Sequence, residues 1–297
     1  RAATSGVKRA LLASLRAVAA VNGVGFVITA VTKTHKITDL CGTGGFLASV
    51  LATLALPREG DKRSFAARLL SARRDKGALA VVLAAMTSVW AVRLGGYLLS
   101  RVLRVGFDAR LDQFFADVSP RTGLPFPAGL ATFWTIQAAW AFISLLPVTA
   151  VHGLAASSGS QLKALSVSAP LRMLGIAAAL AAFAIETLAD LQKDAAKTAN
   201  PDTWCATGLW AVARHPNYFG EMAFWAAMAV AALGGPKLLM KLPWSALGPV
   251  FVVFLLRFVS GVPLLEKAHQ AKYGSAPGWD EYMASTNLLW PFRWPSS

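Results

Sequence analysis

The chain has 297 residues, of which 55% are hydrophobic and only 15% are charged, and its formal net charge is +14. A soluble domain usually carries about 25% charged residues, so this composition excludes an ordinary soluble protein and indicates an integral membrane protein. Lys and Arg lie in short clusters between apolar runs, which argues against nucleic acid as a partner. The two cysteines, Cys41 and Cys205, lack His or Cys at ligand spacing, which excludes a disulfide scaffold and predicts no metal site.

The N-terminal segment, RAATSGVKRALLASLR, is rich in Arg, Ser and Ala, and no acidic residue precedes Asp39. Such a start is typical of the end of an organellar transit peptide. We expect either a mature chain trimmed after import or a sequence that simply begins here. The expected location is a multi-pass position in an organellar (chloroplast or mitochondrial) or endoplasmic reticulum membrane.

Apolar runs of about 17–25 residues predict about seven membrane helices. Two of the runs, the second and the sixth, are short and interrupted by glycine. The expected fold is all-α, with one membrane domain over residues 1–297 and the helices in one bundle. The predicted spans are 10–31, 38–56, 77–100, 129–150, 170–188, 218–233 and 244–265.

Seven antiparallel spans would place four polar segments on the same membrane face, here named face B. These segments are residues 35–39, 101–110, 190–221 and 269–282. The loop at 57–76, with seven Lys or Arg, falls on the opposite face. We expect this loop to contact anionic headgroups or a protein partner, so membrane lipids are expected partners.

Ionisable side chains within predicted spans form two stripes. Glu186, Asp190 and Lys193 follow one another at helical spacing, and a salt-bridged helix end explains this stripe almost as well as a ligand cavity does. Arg93, Tyr97 and Arg101 repeat every four residues on the third span. Because such residues are costly in lipid, this second stripe is expected to line a site inside the bundle.

The ten Trp residues are mostly expected at the membrane boundaries, where an amphipathic ring is favourable. Trp90, Trp134 and Trp210 are among those placed there, near the ends of predicted spans.

The sharpest local motif is GLWAVARHPNYFGE at 208–221, directly before the sixth span. Pro216 favours an extended conformation at His215, and Asn217 is expected to cap the following helix. A helix N-terminus with Arg214 and His215 beside it is a natural site for a phosphate or carboxylate group.

The octet RHPNYFGE closely resembles the signature of the steroid 5-alpha-reductase C-terminal-domain proteins, especially the DUF1295 branch of membrane oxidoreductases. The resemblance extends over about 34–292, with the C-terminal reductase signature at 208–292. The other similar stretches are THKITDL at 34–40, WAVRL at 90–94 with Arg101, GFDAR at 106–110, FWTIQ at 133–137, residues 186–193 and GVPLLEK at 261–267.

The resemblance implies a seven-helix bundle that holds NADPH at its aqueous face and reduces a carbon–carbon double bond conjugated to a carbonyl. The substrate would be lipophilic and would enter from the bilayer. His269 and Tyr273 match an H-x-x-x-Y pair of the family, and Arg93 or Arg101 resembles an arginine near the cofactor phosphates. The cofactor-binding residues implied are Arg93, Arg101, Asp190, Arg214, His215, Asn217, Tyr218, Glu221, His269 and Tyr273.

The resemblance is less close at the catalytic positions. Tyr97 resembles the tyrosine that hydrogen-bonds the substrate ketone, but it precedes its arginine by four residues where the reductases have three. The second span has no glutamate to complete the ketone-binding pair, and Asp39 at its start is the acidic candidate. Tyr97 and Asp39 are therefore the expected catalytic residues, and the substrate class, whether steroid, lipid or isoprenoid, stays open.

Two other functions are compatible with the sequence. The R-H-P-x-Y-x-G core also occurs in membrane methyltransferases of the isoprenylcysteine carboxyl type, which use S-adenosylmethionine. A third possibility is a catalytically silent accessory subunit of a larger organellar membrane complex.

Overall fold

The computed structural model describes residues 2–58, 60–106, 114–120, 122–157 and 169–292. Within these ranges the chain is helical and contains no β-strand, only isolated bridges between Val118 and Pro125 and between Ala213 and Asn287. The predicted all-α class is confirmed. The α-helices are α1 (Ala2–Thr32), α2 (Thr38–Leu54), α3 (Phe65–Leu70), α4 (Ala72–Lys76), α5 (Ala78–Val105), α6 (Ala128–Ser144), α7 (Leu146–Ala156), α8 (Ala169–Ala199), α9 (Pro216–Leu233), α10 (Pro236–Lys241), α11 (Leu247–Phe254), α12 (Val262–Tyr273) and α13 (Trp279–Ser285).

Four helical stretches of the described chain are long and apolar enough to cross a membrane. The bent pair α6 and α7 adds a fifth if it forms one span. The predicted count of seven is not confirmed, because α2 has only 17 residues and α9 has 18 residues with a polar first turn. The four stretches are Ser5–Thr32, Ala78–Arg104, Pro170–Ala199 and Pro243–Tyr273.

The predicted span at 129–150 is broken at Leu145, where α6 and α7 meet at 55°. Pro147 lies in the first turn of α7. A proline has no N–H, and its ring conflicts with the carbonyl four residues earlier, so the helix bends. Gly248 packs at this bend, since a Cβ added to it would lie 3.0 Å from the carbonyl oxygens of Ile143 and Ser144.

The chain forms two compact units. Unit 1 contains Arg1–Ala169 and Ala232–Gly248, and unit 2 contains Pro170–Ala231 and Pro249–Ser297. Each unit is described by itself below. The single membrane domain stays a prediction.

In unit 1, buried polar side chains connect the apolar helices. Trp134 of α6 donates to the Thr29 hydroxyl of α1 over 3.1 Å, and Gln137 donates to Asn22 over 3.1 Å. Such bonds are an established means of holding membrane helices together. Trp134 is 3% exposed and Trp90 is fully buried, so their predicted boundary positions are wrong. Both rings fill the protein core, where a large apolar side chain is also favourable.

In unit 2, α8 and α9 approach closely at two glycines. A Cβ on Gly175 would lie 2.5 Å from the Ala231 nitrogen, and a Cβ on Gly220 would lie 2.7 Å from the Glu186 nitrogen. The absence of side chains at these positions lets the two backbones meet. The contact at Gly220 brings the first turn of α9 beside the middle of α8.

Candidate functional site

The segment between α8 and α9 is fixed against α8 by side chains on both elements. Trp210 donates its indole N–H to the Ala189 carbonyl over 2.8 Å, and the Leu209 backbone N–H donates to Gln192 Oε1 over 2.9 Å. Gly208 has a φ of +60°, a conformation that glycine adopts without strain. Trp210 is 2% exposed, so its predicted place at the membrane boundary is wrong.

The Arg-His-Pro motif pairs with the C-terminal segment of the chain. The Arg214 N–H donates to the Asn287 carbonyl over 2.8 Å, and the His215 N–H donates to the Leu288 carbonyl over 3.1 Å. Helix α9 then begins at Pro216, because proline fits the first helical position, where no N–H is needed. Asn217 is therefore inside the first turn, and its predicted role as the helix cap is wrong.

The charged side chains of the motif converge on one carboxylate in α12. His215 Nε2 donates to Glu266 Oε1 over 2.7 Å, and Arg214 Nη2 lies 3.3 Å from Glu266 Oε2. Arg214 also donates to the Met283 carbonyl over 2.9 Å. These contacts make Arg214 and His215 internal ties among three segments of unit 2.

His215 is fully buried, and burial lowers its pKa below the ordinary value even though Glu266 beside it acts in the opposite direction. The ring is therefore neutral near neutral pH. Its Nδ1 atom has no hydrogen-bond partner in the part of the chain that the structure describes. With Nε2–H given to Glu266, Nδ1 is the acceptor nitrogen of this tautomer.

Two aromatic rings lie nearly parallel to the His215 ring. The Tyr218 ring lies 5.7 Å away at an interplanar angle of 11°, and the His269 ring lies 6.1 Å away at 6°. The Tyr273 ring is 5.9 Å from His269. The resemblance-derived residues His215, Tyr218, His269 and Tyr273 thus form one contiguous group.

Next to this group is a narrow cavity of about 20 Å³, enough for about one water molecule, here named the aromatic cleft. The rings of Trp204 and Trp279 meet edge to face at 5.3 Å, and those of Tyr273 and Trp279 lie 5.5 Å apart. Burial raises the pKa of Tyr282, so its hydroxyl stays protonated. The lining residues are Lys193, Lys197, Trp204, Cys205, Trp210, Arg214, His269, Tyr273, Trp279 and Tyr282.

Two lysines from α8 give the aromatic cleft a positive charge. Lys193 Nζ lies 4.9 Å from the centre of the Trp210 ring, and Lys197 Nζ lies 4.8 Å from the centre of the Tyr273 ring. Lys197 also donates a hydrogen bond to the Tyr273 hydroxyl. The cleft therefore combines flat apolar walls with cations, which is a suitable environment for a ring that carries an anionic group.

Three acidic residues are buried at the contact between α8 and α9. Glu186 is 2% exposed, Asp190 5% and Glu221 8%. Asn217 donates from Nδ2 to Asp190 Oδ1 over 3.1 Å. The predicted residues Asp190, Asn217 and Glu221 are thus brought together by the close approach at Gly220.

Of the predicted residues of unit 1, Asp39 lies in the first turn of α2, and the others lie along the second half of α5. Arg101 Nη2 is 3.7 Å from Asp39 Oδ2, and both side chains are partly exposed, at 36% and 27%. Gly95 of α5 packs against Thr43 of α2, which draws the two helices together. Arg93 and Tyr97 lie on the same helix as Arg101 and are half-buried. Asp39 and Arg101 therefore form a partly exposed ion pair at the protein surface.

A model of the family described as "Protein of unknown function (DUF1295)" matches residues 25–286. The chain belongs to the DUF1295 family. No curated protein and no solved structure matches the chain. The family predicted from the sequence is confirmed. The description of that family gives no activity.

The predicted site residues divide between the units. Asp39, Arg93, Tyr97 and Arg101 belong to unit 1, and Asp190, Arg214, His215, Asn217, Tyr218, Glu221, His269 and Tyr273 belong to unit 2. Within the stretch at 106–110, residues 107–110 lie outside the described residues.

Sequence reasoning missed part of the aromatic cleft. Lys197 follows Lys193 by one helical turn on the stripe already noted, so periodicity alone could have identified it. Trp204, Trp279 and Tyr282 come from loops and short helices, whose positions have no periodic signal.

Proposed function

We propose that the protein is a membrane-embedded, NADPH-dependent reductase of a carbon–carbon double bond conjugated to a carbonyl group in a lipophilic substrate. The observation that carries this proposal is the aromatic cleft of unit 2, which joins cations to aromatic walls beside the family motif. The host membrane proposed is organellar or endoplasmic reticulum.

The residues of the cleft fit chemical groups of a dinucleotide. A dinucleotide consists of flat rings and phosphates, and the Trp and Tyr side chains offer surfaces for ring stacking. Lys193 and Lys197 offer positive charge to phosphate oxygens, whereas Arg214 is already paired with Glu266. Because the cleft has room for about one water molecule, its walls would have to move apart to admit a ring or a phosphate. In this proposal, the buried polar group of Asp190, Asn217 and Glu221 contacts another portion of the cofactor.

When bound, the nicotinamide supplies the hydride that reduces the double bond. The task of the protein is to stabilise the negative charge that develops on the carbonyl oxygen of the substrate. In the proposal, the Tyr97 hydroxyl donates a hydrogen bond to that oxygen, and Asp39, held by Arg101, orients the polar end of the substrate. The half-buried position of Tyr97 limits competition from water at this bond.

The proposal is tested by measuring NADPH binding to the full chain in detergent. Binding is monitored by fluorescence energy transfer from tryptophan to the nicotinamide. We expect Lys197→Gln and Tyr273→Phe to raise the Kd, the former by about ten-fold or more because a hydrogen bond to a charged group contributes about 1.5–3 kcal/mol. Lys267→Gln is the matched control, since Lys267 is exposed and lies on the same helix as Tyr273. Unchanged affinity in both cleft variants would contradict the assignment of the cofactor site.

Turnover and ligand choice separate the proposed reductase from the other two functions. A reductase oxidises NADPH in the presence of α,β-unsaturated lipophilic ketones, and Tyr97→Phe lowers kcat in that assay with little effect on NADPH binding. Binding of S-adenosylmethionine without NADPH would favour a methyltransferase. A chain that binds neither cofactor would favour an accessory subunit.

A further inference from the structure

The loop between α2 and α5 contains seven basic residues, and the structure divides them into two groups. The first group, Arg58, Arg63, Arg68 and Lys76, makes contacts within unit 1. Together with Arg9 of α1, these side chains donate to backbone oxygens or pair with acids, and so fasten the loop to unit 1. Arg9 donates to Pro57, Arg58 to Asp75 and Ala155, Arg68 to Ala55 over 2.7 Å, and Lys76 to Leu56 over 2.8 Å, while Arg63 pairs with Asp61 and Asp75.

The acceptors just after α2 explain why cations are used there. The last carbonyls of a helix have no intrahelical donors and carry partial negative charge. Arg68 and Lys76 satisfy the carbonyls of Ala55 and Leu56 in that region. Lys76 is only 4% exposed, so it is part of the packed structure of the loop. The loop is thereby held in one conformation.

The second group, Lys62, Arg73 and Arg74, faces solvent. Lys62 and Arg73 make no side-chain hydrogen bond or ion pair with any residue that the structure describes, and Arg74, 82% exposed, has only a 3.7 Å contact with Asp75. Beside them, Leu70 is 90% exposed. Unlike the first group, these side chains contribute little to holding the loop.

Arg73, Arg74 and Leu70 line an open groove of about 730 Å³, together with Ala67 and Ser71. The groove is close to a membrane boundary by chain connectivity, since α4 ends at Lys76 and the span Ala78–Arg104 begins two residues later. A second large apolar side chain of the same loop, Phe65, is 49% exposed. Exposed apolar side chains among exposed cations therefore lie at the level of lipid headgroups.

We propose that this surface, formed by Leu70, Arg73 and Arg74, binds the headgroups of anionic phospholipids in the host leaflet. The arginines meet the phosphates, and Leu70 enters the boundary between headgroups and acyl chains. Charge complementarity favours lipid, because residues 57–76 contain seven basic and three acidic residues and the bilayer is the surface that the following span brings next to them. This binding is independent of the proposed reductase activity.

The test is native mass spectrometry of the full chain in detergent with equimolar phosphatidylglycerol and phosphatidylcholine of identical acyl chains. One basic residue near an anionic surface contributes about five-fold in affinity, equivalent to about 1 kcal/mol. We expect the wild type to retain phosphatidylglycerol at least five-fold over phosphatidylcholine. Arg73→Gln with Arg74→Gln should lower this preference by at least five-fold, and Leu70→Ser should lower the binding of both lipids without changing their ratio.

The matched control is Lys36→Gln with Lys267→Gln, which removes two exposed positive charges from outside the loop. It should leave the preference within about two-fold of the wild type, because its charges are not part of the surface. Melting temperatures of all variants should match, since neither substituted pair forms a buried contact. Equal retention of the two lipids by the wild type overturns the proposal and would favour an acidic protein as the partner. A preference for phosphatidylglycerol that persists in the double arginine variant also overturns it.

Discussion

The contact between α8 and α9 predicts that Gly220 cannot be replaced by alanine without loss of stability. A Cβ at this position would lie 2.7 Å from both the nitrogen and the Cβ of Glu186, and 2.8 Å from its Cα. Ordinary van der Waals contacts of carbon are about 3.5–4.0 Å. The obstructing atoms are mostly backbone, which cannot rotate away as a side chain does, so α8 and α9 would have to separate by roughly 1 Å.

The cost follows from two opposing effects. Overpacking in a well-packed core costs about 1–3 kcal/mol, whereas alanine in a helix is favoured over glycine by about 1 kcal/mol. A control substitution that has only the gain in helix propensity removes that gain from the comparison. Gly23 in α1 is such a control, because a Cβ there would have no atom within 4 Å. The difference in free energy of unfolding between Gly23→Ala and Gly220→Ala should therefore be about 1–3 kcal/mol.

The measurement is thermal unfolding of the full chain in one detergent, monitored by tryptophan fluorescence. For a chain of this size, a loss of 1 kcal/mol lowers Tm by roughly 2–4 °C, so Gly220→Ala should melt several degrees below Gly23→Ala. The variant should also weaken the Asn217 to Asp190 hydrogen bond next to the contact. A Gly220→Ala protein that melts at or above Gly23→Ala would refute the close approach of the two helices.

Three further predictions follow from individual side chains. Glu266→Gln should lower the unfolding free energy by about 1–3 kcal/mol, measured by the same melt, because His215 and Arg214 contact different carboxylate oxygens and the amide NH2 that replaces one of them cannot accept. Tyr282→Phe should lower it by about 1 kcal/mol, since the hydroxyl donates to the Trp210 carbonyl over 3.0 Å; a variant as stable as the wild type would contradict this contact. Burial and the neighbouring arginines lower the pKa of Lys76 to about 8, below its ordinary value of 10.5, so between these pH values the unfolded chain holds a proton that the folded chain has released. Wild-type stability relative to Lys76→Met should therefore rise by about 2 kcal/mol from pH 7.5 to 9.5, and a flat difference would exclude a depressed pKa.

Local sequence patterns predicted the helices but not the way they are divided. Apolar runs identified helical segments at all seven places, because a membrane helix satisfies its backbone within its own segment. The bend between α6 and α7 follows from Pro147, which was visible in the sequence but was read as part of a continuous run. Helix α2 ends shortly before Pro57, and α9 ends at Leu233 before Gly234 and Gly235, which have positive φ; hydropathy averaged over a long window does not resolve such breaks.

The site was predicted unevenly for a related reason. His269 and Tyr273 were found because their spacing matches a family motif, and the structure stacks them beside His215. Glu266 was noted only as part of a similar stretch, since a contact between residues 51 positions apart leaves no local pattern. Trp210 was misplaced because an apolar ring near a span end is compatible with both a lipid boundary and a protein core.

The position of Glu266 changes the meaning of the motif that led to the family. Taken alone, Arg214 and His215 beside a helix N-terminus indicate two groups ready to receive an anion. In the structure, Glu266 accepts from His215 and pairs with Arg214, while the backbone of the same two residues bonds to the C-terminal segment. Within the described chain, the motif thus acts first as a joint that holds α12 and residues 287–288 beside the start of α9.

A joint of this kind also explains how the aromatic cleft is kept in shape. The walls of the cleft come from α8, α12, α13 and the segment at 204–210, which are separate in sequence. Arg214 reaches the carbonyls at Met283 and Thr286 at the end of α13, and His215 reaches α12 through Glu266. Loss of either tie would therefore disturb the cleft without removing any of its aromatic residues. If NADPH binds in the cleft, Glu266→Gln should weaken NADPH binding through displacement of these walls, and Lys197→Gln should weaken it with no comparable loss of the joint. Comparing the melting temperature with the Kd for the two variants separates a positioning residue from a contact residue.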